Sequence, residues 1–114
     1  MASFLYEEVA LVLNQAADLL EKTDWCQGYF ARDANGRKVL EFNSDAQAYS
    51  LTGAILKVSH ASVREAALLM VCVTVRSRRI ELWNDAKERT KEEVITKLRE
   101  AATAAKAYFG DRIA

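Results

Sequence analysis

Apolar residues recur at alternating spacings of four and three near the start of the chain, at Leu5, Val9, Val12, Ala16 and Leu19. Polar residues such as Asn14, Gln15 and Asp18 supply the opposite face. This pattern predicts an amphipathic helix from about Phe4 to Lys22. The same spacing returns near the end of the chain and predicts a last helix there, with apolar positions at Val94, Leu98, Ala101, Ala105 and Tyr108.

Three four-residue sequences match the capping box, in which Ser or Thr is followed three residues later by Glu or Gln. They begin at Ser44, Ser62 and Thr90. The first predicts a second helix that runs to about Val58, and the third marks the start of the last helix. The second precedes the apolar run of residues 66–75. We expect a third helix there, buried at the centre of the fold, although the β-branched residues of the run also fit a buried strand.

The segment from Trp25 to Val39 lacks helical periodicity. Residues 33–36 end in Asn-Gly, a pair that favours a tight turn, and residues 37–42 then alternate in polarity. We therefore predict a short β-hairpin after the first helix, packed on the helices because a lone hairpin is marginally stable in water. Gly53 lies inside the predicted second helix, where a close neighbouring backbone would explain it.

These elements predict a mainly α fold: a compact bundle of about four helices with a short β-hairpin after helix 1. A length of 114 residues suits a single domain over residues 1–114. An apolar content of 51% and a charged content of 28% are typical of a globular protein rather than a disordered one.

Composition and residue spacing disfavour several classes of partner and cofactor. The 16 basic residues balance the 16 acidic ones, which gives no general attraction to nucleic acid or to an anionic membrane. The longest apolar block is too short to span a bilayer, and two cysteines make no disulfide framework, so we expect a cytoplasmic protein. The single His and the spacing of the cysteines predict no metal site, and without a glycine-rich phosphate loop we expect no cofactor.

Several short motifs together resemble a known group of proteins. They are Trp25-Cys26-Gln27-Gly28, Ala31-Arg32-Asp33 with Gly36-Arg37, Gly53-Ala54, Trp83-Asn84-Asp85, and Arg89-Thr90 with Glu93-Val94. In this combination the chain resembles the small helical domains of unknown function found in actinobacteria and their phages. The resemblance covers most of the chain from Trp25 onward and implies fold and origin. Because that family has Thr or another small residue where Cys26 stands, it also implies that Cys26 is not a required nucleophile.

The candidate binding residues lie in the two irregular segments, around the hairpin and in residues 80–89. They are Trp25, Gln27, Arg32, Arg37, Trp83, Asn84, Asp85 and Arg89. We expect the two segments to face each other. The arginine pair at the hairpin turn, Arg32 and Arg37, and the two Trp suit an anionic aromatic ligand such as a nucleotide. The structural alternative is that Asn84 and Asp85 bond to backbone amides while Trp83 fills a gap between helices.

We therefore expect a non-catalytic binding module that holds a nucleotide-like small molecule or a host protein, with no catalytic residues. A phage origin would place it in the host cytoplasm and would suit an inhibitor of bacterial defence. Two alternatives stay open. One is a small enzyme that uses Cys26 or Asp85, and the other is a structural homo-oligomer in which the apolar stripes of the first and last helices pair between chains.

Overall fold

The computed structural model describes the backbone of residues 2–113 and the side chains of residues 5–107. The elements of this part of the chain are α1 (Ala2–Lys22), β1 (Asp24–Trp25), β2 (Ala31–Arg32), β3 (Lys38–Val39), β4 (Ala48–Tyr49), α2 (Leu51–Val58), α3 (Ala61–Val75), α4 (Ile80–Asn84) and α5 (Lys91–Ile113). The predicted mainly α fold with a small β element is confirmed. It has one helix more than expected, because part of the second irregular segment forms α4.

The long helices α1 and α5 pack along each other and form the largest contact between elements of the fold. Their facing sides carry fully buried residues: Val9, Leu13, Ala16 and Leu20 from α1, and Val94, Leu98, Ala101 and Ala105 from α5. The predicted first and last helices are confirmed, although the side chain of Tyr108 lies outside the described residues. Because the two stripes are buried against each other within one chain, a homo-oligomer would need another surface.

Residues 66–75 form a helix, so the strand alternative is wrong. The expectation that this helix is buried on all sides is also wrong. Helix α3 packs its buried residues, Val63, Ala67 and Val71, toward the rest of the core. Its opposite face is open, and Leu69 and Val73 are 63% and 65% exposed. The central helix is instead α1, which contacts α2, α3 and α5.

Only one of the three predicted capping boxes forms. In the box at the start of α5, the Glu93 backbone N–H donates to Thr90 Oγ1 at 3.2 Å and the Thr90 N–H donates to Glu93 Oε1 at 3.1 Å. Helix α3 begins before Ser62, and the residue at its N-cap, His60, makes no side-chain cap hydrogen bond. The box at Ser44 fails because the preceding residue, Asn43, bends the chain into a turn, where its Oδ1 accepts from the backbone N–H of Asp45.

The start of α2 is therefore later than predicted. Ser50 caps the helix by accepting a hydrogen bond from the Gly53 N–H at 3.0 Å. The two residues before it, Ala48 and Tyr49, are buried and form β4 instead of a helical turn. Pairing with neighbouring strands decides this, because β4 is parallel to β1 and antiparallel to β2.

A hairpin forms after α1, as predicted, from β2 and β3, which pair through Ala31 with Val39 and Arg32 with Lys38. Its second strand is shorter than the alternation of residues 37–42 predicts, because residues 41–42 form a turn. Its turn is closed by a hydrogen bond from the Gly36 N–H to the Asp33 carbonyl, and Gly36 has a positive φ of 80°. The hairpin is one half of a four-stranded sheet in the order β1-β4-β2-β3. The sequence does not predict β1 and β4, because no turn signal joins them and they form only by pairing across the fold.

The close approach predicted at Gly53 is also confirmed. A Cβ atom at this position would lie 1.9 Å from the carbonyl oxygen of Phe30. That same carbonyl accepts a hydrogen bond from the Ser50 N–H at 3.0 Å. The chain around Phe30 thus crosses the start of α2 in direct backbone contact, which holds the loop before β2 against the helix.

Candidate functional site

The two irregular segments meet, as the sequence predicts, and Asn84 lies where they meet. This residue ends α4 and is 1% exposed. Its Oδ1 accepts from the Trp25 indole Nε1 at 2.7 Å and from the Leu51 backbone N–H at 3.0 Å. Its Nδ2 donates to the Cys26 carbonyl at 3.1 Å and to Asp85 Oδ1 at 3.0 Å. One side chain uses all of its donors and both acceptor sites, and it joins β1, α2 and α4.

The bond to Leu51 satisfies a group that a helix leaves unpaired. Leu51 is the first residue of α2, and the first N–H groups of a helix have no partner within it. The Ser50 side chain takes the N–H of Gly53, and Asn84 takes that of Leu51. Asn84 therefore completes the cap of α2 from a position 33 residues further along the chain.

Gln27 and Asp85 also join the two segments next to Asn84. We call this region, with Trp25, Gln27, Gly28, Asn84 and Asp85, the corner around Asn84. Gln27 Nε2 donates to the carbonyls of Asn84 and Ala86 at 2.9 and 3.0 Å. Asp85 Oδ1 accepts from the Gly28 N–H at 2.9 Å, and Gly28 takes the positive φ of 86° that this turn requires. Asn84 and Asp85 thus bond to backbone groups, as the structural alternative expects.

Arg32 and Arg89, two arginines of the predicted site, use their guanidinium groups to bond to backbone carbonyls of the chain. Arg32 donates through Nε and one Nη to the Gln27 carbonyl, and through its other Nη to the Gly36 carbonyl. Arg89 donates through Nε to the Trp83 carbonyl at 2.9 Å and lies over the Trp83 ring at 3.8 Å. Its Nη1 also pairs with Glu93 at 3.0 Å. Both guanidinium groups therefore make structural contacts within the chain.

Arg37 does not join this group. Its backbone N–H donates to Asp33 Oδ1 in the hairpin turn, and the side chain is exposed. Among the residues that the structure describes, no hydrogen bond or ion pair involves its guanidinium. Seven of the eight predicted residues therefore come together, and Arg37 is left on the turn.

A pocket of about 200 Å³ opens beside Asn84. Its lining residues are Gly28, Tyr29, Phe30, Ser50, Glu81, Asn84 and Asp85. The two acidic residues, Glu81 and Asp85, are exposed, and no Lys or Arg lines the pocket. Sequence reasoning missed Tyr29, Phe30 and Glu81. The two aromatic residues stand in the non-helical segment between Gly28 and the hairpin, and that position is the signal that could have identified them.

A family model for proteins of unknown function, DUF6197, matches residues 6–104. The chain belongs to this family. Neither the comparison with curated proteins nor that with solved structures gave a significant match.

In this DUF6197 chain, Cys26 does not have the properties of a nucleophile. The thiol is 8% exposed and lies 3.6 Å from the carbonyl oxygen of Tyr29, to which it donates. Burial raises its pKa from 9.0 to about 11, and this outweighs the opposing effect of the Arg32 charge. At neutral pH the group is a thiol, and the thiolate is the reactive form.

The chemistry available to the DUF6197 chain is limited in two further respects. Within residues 5–107, no three His, Cys, Asp or Glu side chains come together in a way that could hold a metal ion. Every helix that the structure describes is too short or too polar to cross a lipid bilayer.

Proposed function

We propose that this chain is a non-catalytic binding module for a protein partner, and that the pocket beside Asn84 receives a basic side chain of that partner. The observation that supports this is the pocket's composition. Its walls include Tyr29 and Phe30, its charged residues are Glu81 and Asp85, and it contains no cationic residue.

The size and chemistry of the pocket favour a lysine or arginine side chain. Pockets for drug-sized ligands enclose roughly 300–1,000 Å³, and this one encloses about 200 Å³. Carboxylates attract an ammonium or guanidinium group. The Tyr29 ring already has Lys38 Nζ 5.5 Å from its centroid, so a cation–π attraction of about 0.5–1 kcal/mol at an exposed site would come from the Phe30 ring. A single side chain entering from a partner's surface fits both properties.

The same features disfavour the nucleotide version of the prediction. A bound phosphate would need the donors of Arg32 or Arg89, and these donors bond to backbone carbonyls and to Glu93. Each such bond would have to be broken and replaced. The acidic residues Glu81 and Asp85 would also repel a phosphate placed in the pocket.

The proposal of binding without catalysis draws support from the two candidate catalytic groups. Burial keeps Cys26 protonated at neutral pH. Asp85 Oδ1 already accepts hydrogen bonds from Gly28 and Asn84. Cytoplasmic location, a phage or mobile-element origin and a role against bacterial defence remain predictions from the sequence and the resemblance.

The experiment is a titration of the isotope-labelled chain, followed by the amide NMR signals of Gly28 and Tyr29. The probe is N-acetyl-lysine-N-methylamide, and N-acetyl-norleucine-N-methylamide is the uncharged control. We expect the lysine probe to shift both signals, with a dissociation constant on the order of millimolar, and the norleucine probe to shift them much less. Glu81→Gln should weaken binding about threefold, as one exposed carboxylate contributes up to about 1 kcal/mol.

Glu88→Gln is the matched control, because Glu88 is exposed but does not line this pocket. Binding of the lysine probe should be unchanged in this variant. Equal shifts with the lysine and norleucine probes, or no effect of Glu81→Gln, would overturn the proposal. A parallel titration with ATP that shifts the Arg32 and Arg89 side-chain signals would favour the nucleotide version instead.

A further inference from the structure

The open face of α3 carries an ordered set of side chains. Glu65, Leu69, Val73 and Arg76 are all exposed. The spacing of four residues places Glu65, Leu69 and Val73 within one side of the helix. Arg76 follows the last helical residue as the C-cap, with a left-handed backbone of φ 58° and ψ 44°. A surface groove of about 370 Å³ is lined by Leu69, Cys72, Val73, Arg76, Ser77 and Arg78. The face therefore runs from an acidic residue, through two apolar residues, to two basic residues, Arg76 and Arg78.

An apolar patch on a helix that is not covered within its own chain indicates an interaction site. Leu69 and Val73 are among the most exposed large apolar residues of the described chain, at 63% and 65%. Glu65 and Arg76 take part in no ion pair among residues 5–107. Both the apolar and the charged groups of the face are thus open to a partner.

We propose that this face binds a second copy of the chain, with the two α3 helices antiparallel across a twofold axis. The axis lies at the level of Val71 along the helix, on the side opposite to the buried Val71 side chain. The order of charges carries the proposal. In an antiparallel pair centred at Val71, Leu69 lies level with Val73 of the second copy. Glu65 of one copy lies at the level of the C-terminal end of α3 in the second copy, where Arg76 and Arg78 follow the helix.

The face is therefore complementary to itself in both chemistry and charge. Each acidic end meets a basic end, and the apolar residues pack between them. A C2 dimer requires one patch that matches its own copy, and the antiparallel arrangement also opposes the two helix dipoles favourably. A parallel pair would place Arg76 against Arg76 and Glu65 against Glu65, which costs energy. This inference uses a different surface from the pocket and does not depend on the function proposed above.

The interface is small, because one 15-residue helix meets another. Interfaces below about 1,200 Å² of total buried area belong to the weak class, so we expect a dissociation constant on the order of 10–100 μM. Sedimentation equilibrium of the full chain tests this directly. Leu69→Asp should weaken the dimer about a hundredfold, since it places a charge in the apolar centre of the contact. Leu11→Asp is the matched control, because Leu11 is also an exposed leucine of a helix, and it should leave the dimer unchanged.

The register is tested with two charge reversals, Glu65→Arg and Arg76→Glu. Each variant alone should dimerise about tenfold more weakly, because two attractive pairs become repulsive. In an equimolar mixture, both pairs become attractive again. The mixture should therefore form a heterodimer with an affinity within about threefold of the wild type.

Three results would overturn the proposal. The first is a wild-type chain that stays monomeric at about 1 mM, well above the expected dissociation constant. The second is a dimer that Leu69→Asp does not weaken, which would place the contact elsewhere. The third is a mixture of the two charge variants that dimerises no better than either alone, which would exclude the antiparallel register. Circular dichroism of each variant confirms that it is folded.

Discussion

The helix pair α1–α5 and the corner around Asn84 are held together in different ways. The helices bury a long series of small and medium apolar side chains, and each contributes a part of the stability. The corner depends on directional hydrogen bonds, four of which end on one side chain. Loss of a methylene in the helix pair leaves a cavity, whereas loss of Asn84 leaves several buried polar groups unpaired.

This difference shows where substitutions matter most. A packed apolar core tolerates changes in the shape of its side chains, since volume-conserving substitutions usually cost less than about 1.5 kcal/mol. A buried amide that satisfies three backbone or indole partners has no substitute among the other side chains. The corner also joins segments that are far apart in the sequence, since Trp25 and Asn84 are separated by 59 residues. We therefore expect the corner to be sensitive at a few positions and the helix pair to be sensitive at many.

The largest expected effect is that of Asn84→Ala. The substitution leaves the Trp25 indole N–H, the Leu51 N–H and the Cys26 carbonyl without their partner. Each unsatisfied buried group costs about 1–3 kcal/mol, so the free energy of unfolding should fall by about 4 kcal/mol. Urea denaturation measures it, and Asn35→Ala in the exposed turn is the control, with an expected change below about 0.5 kcal/mol.

Leu98→Ala is the corresponding substitution in the helix pair. We expect it to lower the free energy of unfolding by about 3 kcal/mol. Leu98 is fully buried on α5. If Asn84→Ala proves clearly less costly than Leu98→Ala, the distinction between the two regions fails.

Gly53→Ala should lower stability by about 3 kcal/mol, the upper end of the cost of overpacking. The added methyl group would lie 1.9 Å from the Phe30 carbonyl oxygen, and backbone cannot move aside as a side chain can. In an exposed helix the same change would stabilise by roughly 1 kcal/mol, so the sign of the effect is decisive. A stabilised Gly53→Ala variant in thermal or urea unfolding would contradict the close approach.

Gly36→Ala is the matched control for this experiment. Gly36 has open space around the position of a Cβ atom, and its constraint is the positive φ alone. We expect a cost of roughly 1 kcal/mol, which is that of a non-glycine residue in the left-handed region. A similar cost at both glycines would show that space at Gly53 is not the limiting factor.

The last expected effect concerns the pH dependence of stability, and it appears only at alkaline pH. The Cys26 pKa is about 11 in the folded chain and 9.0 for an unperturbed thiol. The unfolded chain therefore loses this proton first, and stability falls as the pH rises from about 9 to about 11. Below about pH 9 the contribution is fully present. In Cys26→Ala this alkaline loss should be smaller, although Tyr49, whose pKa burial also raises, keeps part of it.

Urea midpoints measured between pH 8 and pH 11 test this prediction. Cys72→Ala is the control for the loss of a free cysteine, and its profile is compared with that of Cys26→Ala. Identical profiles for the wild type and Cys26→Ala would mean that the thiol has the same pKa in the folded and unfolded chain.

Much of the regular structure could be predicted from the sequence. Helices α1 and α5 follow from the spacing of apolar residues, the hairpin from Asn-Gly, and the close approach from a glycine inside a helix. These features depend on local chemistry. The meeting of the Trp25 and Asn84 segments was also predicted, because both segments lack helical periodicity and a helical scaffold leaves few places for them.

The rest depends on tertiary contacts that no local pattern contains. Ser44 and Ser50 are both good cap residues, and the strand pairing of Ala48 and Tyr49 decides between them. The apolar run of α3 predicts more burial than the fold provides, because only one of its faces meets α1 and α5. Likewise, the sequence cannot distinguish an arginine that binds a ligand from Arg32, which binds backbone carbonyls.

Hydrogen exchange of the Trp25 indole proton tests the central claim most directly, since this proton reports on the bond to Asn84 Oδ1. In the wild type we expect exchange at least about a hundredfold slower than that of a free indole. In Asn84→Ala the indole proton should exchange at nearly the free rate, while amides within α1 and α5 remain measurably protected. An indole proton that exchanges freely in the wild type, or that stays protected in Asn84→Ala, would contradict the role assigned to Asn84.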